Sequence, residues 1–179
     1  ILPGMIAHFD ISRERSLRAV EEAMEQDQKI YLVTQRNVDS EDPTQEDLYQ
    51  MGIVADIKQV VRLQNDVVRI LVDGISRAAL LGFTGNEKYL EAEICYCDSN
   101  ADSLPEDLRE AMLLGVREAF HRYAAVVGKI SKELIRQIDQ YEDLEKLIDY
   151  VTNNLPVSYE LKQQVLEAED INDRYHVIV

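Results

Sequence analysis

The sequence predicts an α+β protein with two lobes: an N-terminal antiparallel β-rich lobe that contains one helix, and a C-terminal lobe that is a bundle of α-helices. Two observations predict this. Five segments before residue 98 show strand-like apolar alternation or short apolar runs, and only one segment there has helical spacing. From residue 104 onward the apolar patterns have the helical period. We place the strand-rich lobe at residues 1–98 and the helical lobe at residues 104–179, with a short linker near Asp98–Asp102.

The first lobe begins with a strand, a helix and a second strand. Met5–Phe9 alternates after a Pro-Gly turn, and its predicted inward face consists of Met5, Ala7 and Phe9. Glu14–Asp27 repeats apolar residues at the spacing of one amphipathic helix, namely at Leu17, Val20, Ala23 and Met24. Lys29–Gln35 contains a nearly continuous apolar run, which is typical of a strand covered on both faces. A polar loop follows, through Pro43.

Three more strands complete this lobe, and the first two form a hairpin. Ile53–Leu63 alternates, with a predicted inward face of Ala55, Ile57, Val61 and Leu63. The turn residues Gln64-Asn65-Asp66 lead into Val67–Phe83, where Gly74 indicates a bulge or bend. Lys88–Cys97 is the fifth strand. A small twisted antiparallel sheet or partly closed barrel is the simplest arrangement of these elements.

The second lobe begins with a long helix. Ser103 and Glu106 have the spacing of a capping box, the apolar stripe continues for about six turns, and Gly128 is the predicted end. A shorter helix is predicted after Ser131, and another ends near Leu155-Pro156. A further helix contains Leu161, Val165 and Leu166, and the last helix begins at Asp170. Since the pattern runs into Val179, and the chain opens on Ile1, we expect it to be a piece of a longer protein.

Composition and charge exclude several classes of protein. The chain has 179 residues, 46% of them hydrophobic, which is enough apolar mass for a core. Its 34 acidic residues exceed its 19 Lys and Arg, and the formal net charge of -15 would repel a phosphate backbone, so we expect no nucleic-acid partner. No apolar run approaches the roughly 20 residues of a membrane span. We expect no membrane partner, and a cytoplasmic location is the simplest interpretation.

The sequence offers no catalytic, metal-ligating or cofactor-binding constellation. Gly128-Lys129 resembles the end of a phosphate-binding loop, but Ile130 stands where Ser or Thr is required. Cys95 and Cys97 are expected to be buried or half-buried structural thiols, because the three histidines show no ligand spacing around them. No nucleophile has a partner base at a recognisable spacing. We therefore expect no enzyme activity and no cofactor in this chain.

Binding is the remaining class of function, and three residues are candidate contacts. In Val68–Asp73, alternation places Val68, Ile70 and Val72 in the core, so Leu71 shares the opposite face with charged neighbours. Ile6 and His8 lie opposite the inward face of the first strand. Two alternatives stay open: a neighbouring element covers Leu71, and His8 is an ordinary surface or core-edge histidine.

The order of short segments resembles the amino-terminal domain of bacterial Lon-type ATP-dependent serine proteases over almost the whole chain. Leu2-Pro3-Gly4-Met5 is similar to the opening Phe-Pro-Gly-Met of that family, and residues 68–78 resemble its most distinctive stretch. Further similar segments are residues 16–24, 30–35, 47–52, 129–131, 155–158 and 162–167. Gln64-Asn65-Asp66 departs from the family's usual Pro-Asp-Gly, which leaves the type of this hairpin turn open.

The resemblance implies a PUA-like sheet lobe followed by a helical lobe. It also implies a non-catalytic domain that recognises unfolded or damaged proteins in protein quality control and supports a homohexamer of Lon subunits. ATP, Mg²⁺ and a Ser-Lys peptidase dyad would belong to the missing part of the parent protein. Two alternative functions are a stand-alone peptide or small-molecule binding module and a purely structural assembly domain.

Overall fold

A computed structural model describes residues 1–37, 40, 43–97 and 101–179 of the chain. The first residues of the predicted linker, 98–100, and part of the predicted polar loop before Pro43 lie outside the described residues. The chain divides into two compact units, Ile1–Cys97 and Asp98–Val179. The described part of the first unit contains five strands and one α-helix, and that of the second contains five α-helices, so the α+β prediction is confirmed.

The first unit, called the strand lobe below, is built on one antiparallel sheet. Its elements are β1 (Ile6–Ile11), α1 (Glu14–Glu25), β2 (Lys29–Leu32), β3 (Met51–Arg62), β4 (Val68–Phe83) and β5 (Ala92–Tyr96). The strand order is β1-β4-β3-β2, and β5 pairs with the second half of β4. Among the described strands, β1, β2 and β5 each have a single neighbour and are therefore edge strands. The fifth strand is shorter than predicted, because pairing with β4 begins only at Ala92.

The core of the strand lobe lies on the inner side of β3 and β4. Its most buried residues include Leu2, Val20, Ile53, Ala55, Ile57, Ile70, Val72, Ala78 and Leu80. The predicted burial of Ile70 and Val72 is confirmed, whereas Val68 is half-buried at the start of β4. Phe9 was predicted to face inward but is 37% exposed, because β1 lies at the edge of the sheet and only β4 pairs with it.

Two bulges decide which side chains face the core. The register of β3 against β4 shifts between Ile57 and Gln59, which leaves Lys58 as an extra residue. Because one extra residue reverses the alternation, Val61 and Leu63 are each 40% exposed, and their predicted inward position is wrong. A second register shift leaves Ile75 unpaired directly after Gly74, so the bulge predicted at Gly74 is confirmed.

The hairpin between β3 and β4 closes through residues with left-handed backbone. Asn65 and Asp66 have φ of 59° and 56°, and the Leu63 N–H donates to the Val67 carbonyl at 2.8 Å. Positive φ at two successive turn residues gives a backbone twist that matches the twist of the flanking strands. Asn and Asp tolerate this region better than other non-glycine residues. The Asn-Asp pair therefore turns this hairpin without a glycine.

The second unit, called the helical lobe below, follows the predicted succession of helices. They are α2 (Glu106–Val127), α3 (Lys132–Gln140), α4 (Leu144–Asn154), α5 (Tyr159–Glu167) and α6 (Ile171–Ile178). Gly128 ends α2 with φ of 66°, as predicted, and the Ser131 hydroxyl accepts from the Leu134 N–H at the start of α3. The predicted Ser103–Glu106 capping box is wrong, because Ser103 lies in a separate 3-10 turn and α2 starts directly after Pro105.

Burial raises the pKa of Tyr31 to about 12, and its hydroxyl donates to the Ala78 carbonyl at 3.1 Å. The folded state therefore favours the neutral phenol. This contribution to the free energy of unfolding is fully present below the ordinary tyrosine pKa of about 10 and is lost as the pH rises to about 12. We expect Tyr31→Phe to flatten the fall in stability across that window and to remove the highest phenolate transition in an ultraviolet titration.

The matched control for this test is Tyr96→Phe, because the Tyr96 side chain is 56% exposed. It should remove a phenol and leave the alkaline loss of stability in place. Equal alkaline stability curves for Tyr31→Phe and the unsubstituted chain would contradict the role of the buried phenol.

Candidate functional site

The three predicted contact residues lie together on one surface of the strand lobe. In the antiparallel pairing of β1 with β4, His8 stands opposite Leu71 and Ile6 stands opposite Asp73. Directly opposite residues project to the same face of a sheet, and residues two apart on one strand do so as well. Ile6, His8 and Leu71 therefore form one cluster. Ile6 is 65% exposed, His8 is exposed and Leu71 is half-buried between its neighbours.

This surface continues across three strands, and we call it the outer face. The β3–β4 register places Gln59 opposite Leu71 and Val61 opposite Arg69. The outer face consists of Ile6, His8 and Asp10 on β1, Asp73, Leu71 and Arg69 on β4, and Asp56, Gln59 and Val61 on β3. The buried residue of α1 is Val20, on the opposite side of the sheet, so the helix packs against the core and leaves the outer face uncovered.

The apolar residues of the outer face form a diagonal. Residues that stand directly opposite one another on the strands form three successive rows. Ile6 stands in the first row, opposite Asp73; Leu71 stands in the second, between His8 and Gln59; Val61 stands in the third, opposite Arg69. Diagonal neighbours on paired strands are roughly 7–8 Å apart, so the three side chains span about 15 Å. An extended chain places successive same-side residues at about this spacing. The diagonal is therefore a surface for the apolar side chains of an extended segment.

Ion pairs lie on both sides of the diagonal. The Arg69 guanidinium donates to both carboxylate oxygens of Asp10, at 2.6 and 2.7 Å, and this hydrogen bonding lowers the pKa of Asp10 and raises that of Arg69. On the other side, the Lys58 ammonium nitrogen lies 3.0 Å from a carboxylate oxygen of Asp56 and 3.9 Å from a carboxylate oxygen of Asp73. The charges hold the edge strand in register and keep a partly apolar surface hydrated.

Val61 is the residue of the outer face that sequence reasoning missed. Strict alternation from Ala55 places Val61 inward, and only the extra residue Lys58 reverses its direction. Lys58 breaks the apolar pattern of β3 no more than an ordinary surface residue would. The sequence of β3 therefore contains no signal that identifies Val61 as a surface residue.

A concavity of about 380 Å³ also lies in the strand lobe, and we call it the seam groove. It opens between α1, the edge strand β2 and the segment 83–92 that leads into β5. Residues of all three edge strands line it, so it marks the place where the sheet does not close into a barrel. Tyr89 stands in its wall, and burial together with the nearby Glu22 and Glu91 carboxylates raises the pKa of Tyr89.

The cysteines differ from their predicted environment. Cys95 is exposed, which corrects the expectation of a buried or half-buried thiol, because it lies on the edge strand β5. Cys97 is half-buried, and its Sγ lies 3.9 Å from the Met51 Sδ. Within the described ranges, no three His, Cys, Asp or Glu side chains are grouped so that they could hold a metal ion. None of the helices in those ranges is both long and apolar enough to cross a membrane.

Comparison with known proteins gives consistent matches over the whole chain. The substrate-binding domain of the ATP-dependent protease La (LON) matches residues 1–179. The Lon protease of Lachnoclostridium phytofermentans is 35% identical over 98% of this chain, and that of Clostridioides difficile is 34% identical over 99%. The chain spans only 22% and 23% of the lengths of these relatives.

Two solved structures have a similar fold. The N-terminal domain of Mycobacterium avium complex Lon protease aligns with a TM-score of 0.77 at 19% identity, over 99% of this chain and 89% of that one. A Lon N-terminal domain protein from Xanthomonas campestris aligns with a TM-score of 0.65 at 12% identity, over 98% of this chain and 89% of that one. These likenesses establish the fold.

Proposed function

This chain belongs to the family of Lon substrate-binding domains, and from that premise we propose that its outer face captures apolar segments of unfolded or damaged proteins. The observation that carries the proposal is the diagonal of Ile6, Leu71 and Val61 on the sheet surface opposite α1. Folded proteins bury most of their large apolar side chains, so an exposed apolar surface distinguishes unfolded from native partners.

The surrounding charges suit a surface that must bind many sequences. The charged residues of this surface already form ion pairs, Arg69 with Asp10 and Lys58 with Asp56 and Asp73. A client therefore gains little from a specific charge pattern. The affinity then depends on apolar burial at a few positions and is weak for one segment. Several linked copies of the domain raise it, because a second contact by the same client becomes intramolecular.

The test uses the double substitution Ile6→Asp/Val61→Asp in the 179-residue chain. Both side chains are exposed, so the fold should be retained, while the added carboxylates repel apolar segments. Loss of two apolar contacts of about 0.5–1 kcal/mol each should weaken binding to a chemically unfolded protein roughly ten-fold. The measurement is a fluorescence-anisotropy titration, with the native form of the same protein as the comparison.

The matched control is Leu81→Asp/Leu108→Asp, which adds the same charge at side chains that are 60% and 45% exposed. Leu81 is ten residues along β4 from Leu71, roughly 33 Å at strand spacing, and Leu108 lies in α2. We expect the control to bind as the unsubstituted chain does. If both pairs weaken binding equally, net charge controls the affinity and the outer face is not the contact surface.

The proposal extends to the parent protein. The relatives are named Lon protease, and the chain covers about a fifth of their length. We propose a cytoplasmic ATP-dependent serine endopeptidase in which this domain needs no cofactor, while ATP, Mg²⁺ and a Ser-Lys dyad act in the remaining part. We also propose that the domain supports a homohexamer. Sedimentation of the parent with and without residues 1–179 separates the roles: loss of hexamers with unchanged client choice would indicate assembly alone.

A further inference from the structure

The edge strand β2 has backbone groups that point away from its neighbour and into the seam groove. The Ile57 N–H donates to the Gln28 carbonyl at 2.7 Å, and the register continues from that pair through Ile30 opposite Ala55. Hydrogen-bonded pairs alternate along an antiparallel ladder, so Ile30 bonds to β3 while the N–H and C=O of Tyr31 point outward. Tyr31 lines the groove, and no described strand pairs with that edge.

The walls of the groove are largely apolar. The apolar lining includes Ala19 and Ala23 of α1, Ile30 and Val33 in and just after β2, and Phe83 and Leu90 at the ends of the approach to β5. The small alanine side chains leave space beside the β2 backbone. A volume of about 380 Å³ can hold a few side chains of a bound peptide. An extended peptide could therefore reach the unused backbone groups and bury apolar side chains at the same time.

The charges of the groove favour a basic residue in that peptide. The carboxylates of Glu22 and Glu91 lie near the Tyr89 hydroxyl, and among the described residues neither has a cationic partner. The Glu22 carboxylate accepts from the Gln26 amide at 2.5 Å, and the Glu91 carboxylate accepts from the Thr84 hydroxyl at 2.6 Å.

Neither of the two cations among the described lining residues pairs with Glu22 or Glu91. The Arg13 guanidinium donates to the Gln35 side-chain oxygen at 2.9 Å, and the Lys29 ammonium lies 3.8 Å from Asp27. Glu22 and Glu91 are thus the charges that a ligand would complement. A Lys or Arg side chain at this wall would gain two ionic partners.

We propose that the seam groove binds an extended apolar peptide segment that carries a basic residue, and that this segment adds a strand to the free edge of β2. The Tyr31 N–H donates to a peptide carbonyl, and the Tyr31 carbonyl accepts from a peptide N–H. The basic side chain lies against Glu22 and Glu91. This inference rests on the proposed function, because it names a class of client segment and a second surface that holds it.

The experiment measures anisotropy of a labelled nonapeptide of Val and Ile with one central Lys, bound to the 179-residue chain. Two analogues carry N-methyl groups on alternate amides, in sets shifted by one residue. Because amides of one set point toward β2 and those of the other point away, one analogue should bind at least about ten-fold more weakly and the other should not. Equal binding of both analogues and the unmethylated peptide would overturn strand addition.

The charge contact is tested with Glu22→Gln/Glu91→Gln against the control Glu25→Gln/Glu93→Gln, which removes the same charge from α1 and β5 outside the groove. The first pair should weaken the Lys peptide about three- to ten-fold and leave a peptide with Gln in place of Lys unchanged. Equal effects of the two pairs would overturn the ionic contact.

The unfolded-protein titration separates this inference from the proposed function. If Ile6→Asp/Val61→Asp abolishes binding of the unfolded protein and N-methylation does not change peptide binding, the groove proposal is overturned. The outer face then remains as the client surface. Absence of unfolded-protein binding in the unsubstituted chain overturns the proposed function. Selective loss with one methylated analogue, unaffected by Ile6→Asp/Val61→Asp, supports the groove as a separate binding surface.

Discussion

Gly52→Ala is expected to destabilise the strand lobe by about 3 kcal/mol, the upper end of the usual cost of overpacking a core. A Cβ at residue 52 would lie 2.5 Å from the Leu32 carbonyl oxygen and 2.6 Å from the end of the Tyr31 ring. The Leu32 carbonyl is part of the β2 backbone that pairs with β3, so it cannot move without loss of that pairing. The new methyl group therefore separates two paired strands.

The measurement is urea-induced unfolding, and the control is Gly82→Ala in β4. There the nearest atom to a new Cβ is the Gln45 side-chain oxygen at 3.7 Å, an ordinary contact, so we expect a change within about 1 kcal/mol. Adding Tyr31→Ala to Gly52→Ala should not restore stability, because the clash with the Leu32 carbonyl remains. Equal stabilities of Gly52→Ala and Gly82→Ala would show that the strands adjust without cost.

Arg174→Met is expected to destabilise the helical lobe by about 3–5 kcal/mol. The Arg174 side chain is only 2% exposed and donates to the Glu145 carboxylate, to the Ala168 carbonyl at 3.1 Å and to the Glu169 carbonyl at 3.4 Å. These contacts link α6 to α4 and to the end of α5. Methionine fills a similar volume but supplies neither the positive charge beside Glu145 nor any of the donors.

Arg136→Met provides the matched control, because Arg136 makes an exposed pair with Glu133 one turn away on α3, at 2.9 Å. We expect that change to cost less than about 0.5 kcal/mol. Arg174→Met/Glu145→Leu should recover part of the lost stability, since replacing both charges of a buried pair costs less than removing one. If Arg174→Met and Arg136→Met have equal free energies of unfolding, burial gives the Arg174 pair no added importance.

The helical lobe was predictable because its elements depend on local pattern. The apolar stripe of α2, the glycine after its end and the serine before α3 act within one or two turns of the chain. A capping box depends on finer geometry, and this explains the failure at Ser103: that residue ends a separate 3-10 turn, and Pro105 directly precedes the first residue of α2.

The candidate site was predictable in part. Alternation placed Ile6, His8 and Leu71 on the strand faces opposite the core, and the β1–β4 register brings them together. Their contact with a client is a proposal that the substitutions above test. The seam groove was not predictable, because its walls come from α1, β2 and the segment before β5, which only the strand order brings together.

The sequence by itself determined the two-lobe α+β order, the family, the strands and helices, and the lack of recognisable catalytic motifs, because these depend on periodicity and on the succession of short segments. Only the tertiary structure decided which side chains of β3 reach the surface and which strands have free edges. The physical reason is the period of two in a strand: one bulged residue at Lys58 moves Val61 from the core face to the outer face without any change in composition. Exposure at an edge, as at Phe9 and Cys95, likewise depends on a neighbouring strand that the local sequence does not specify.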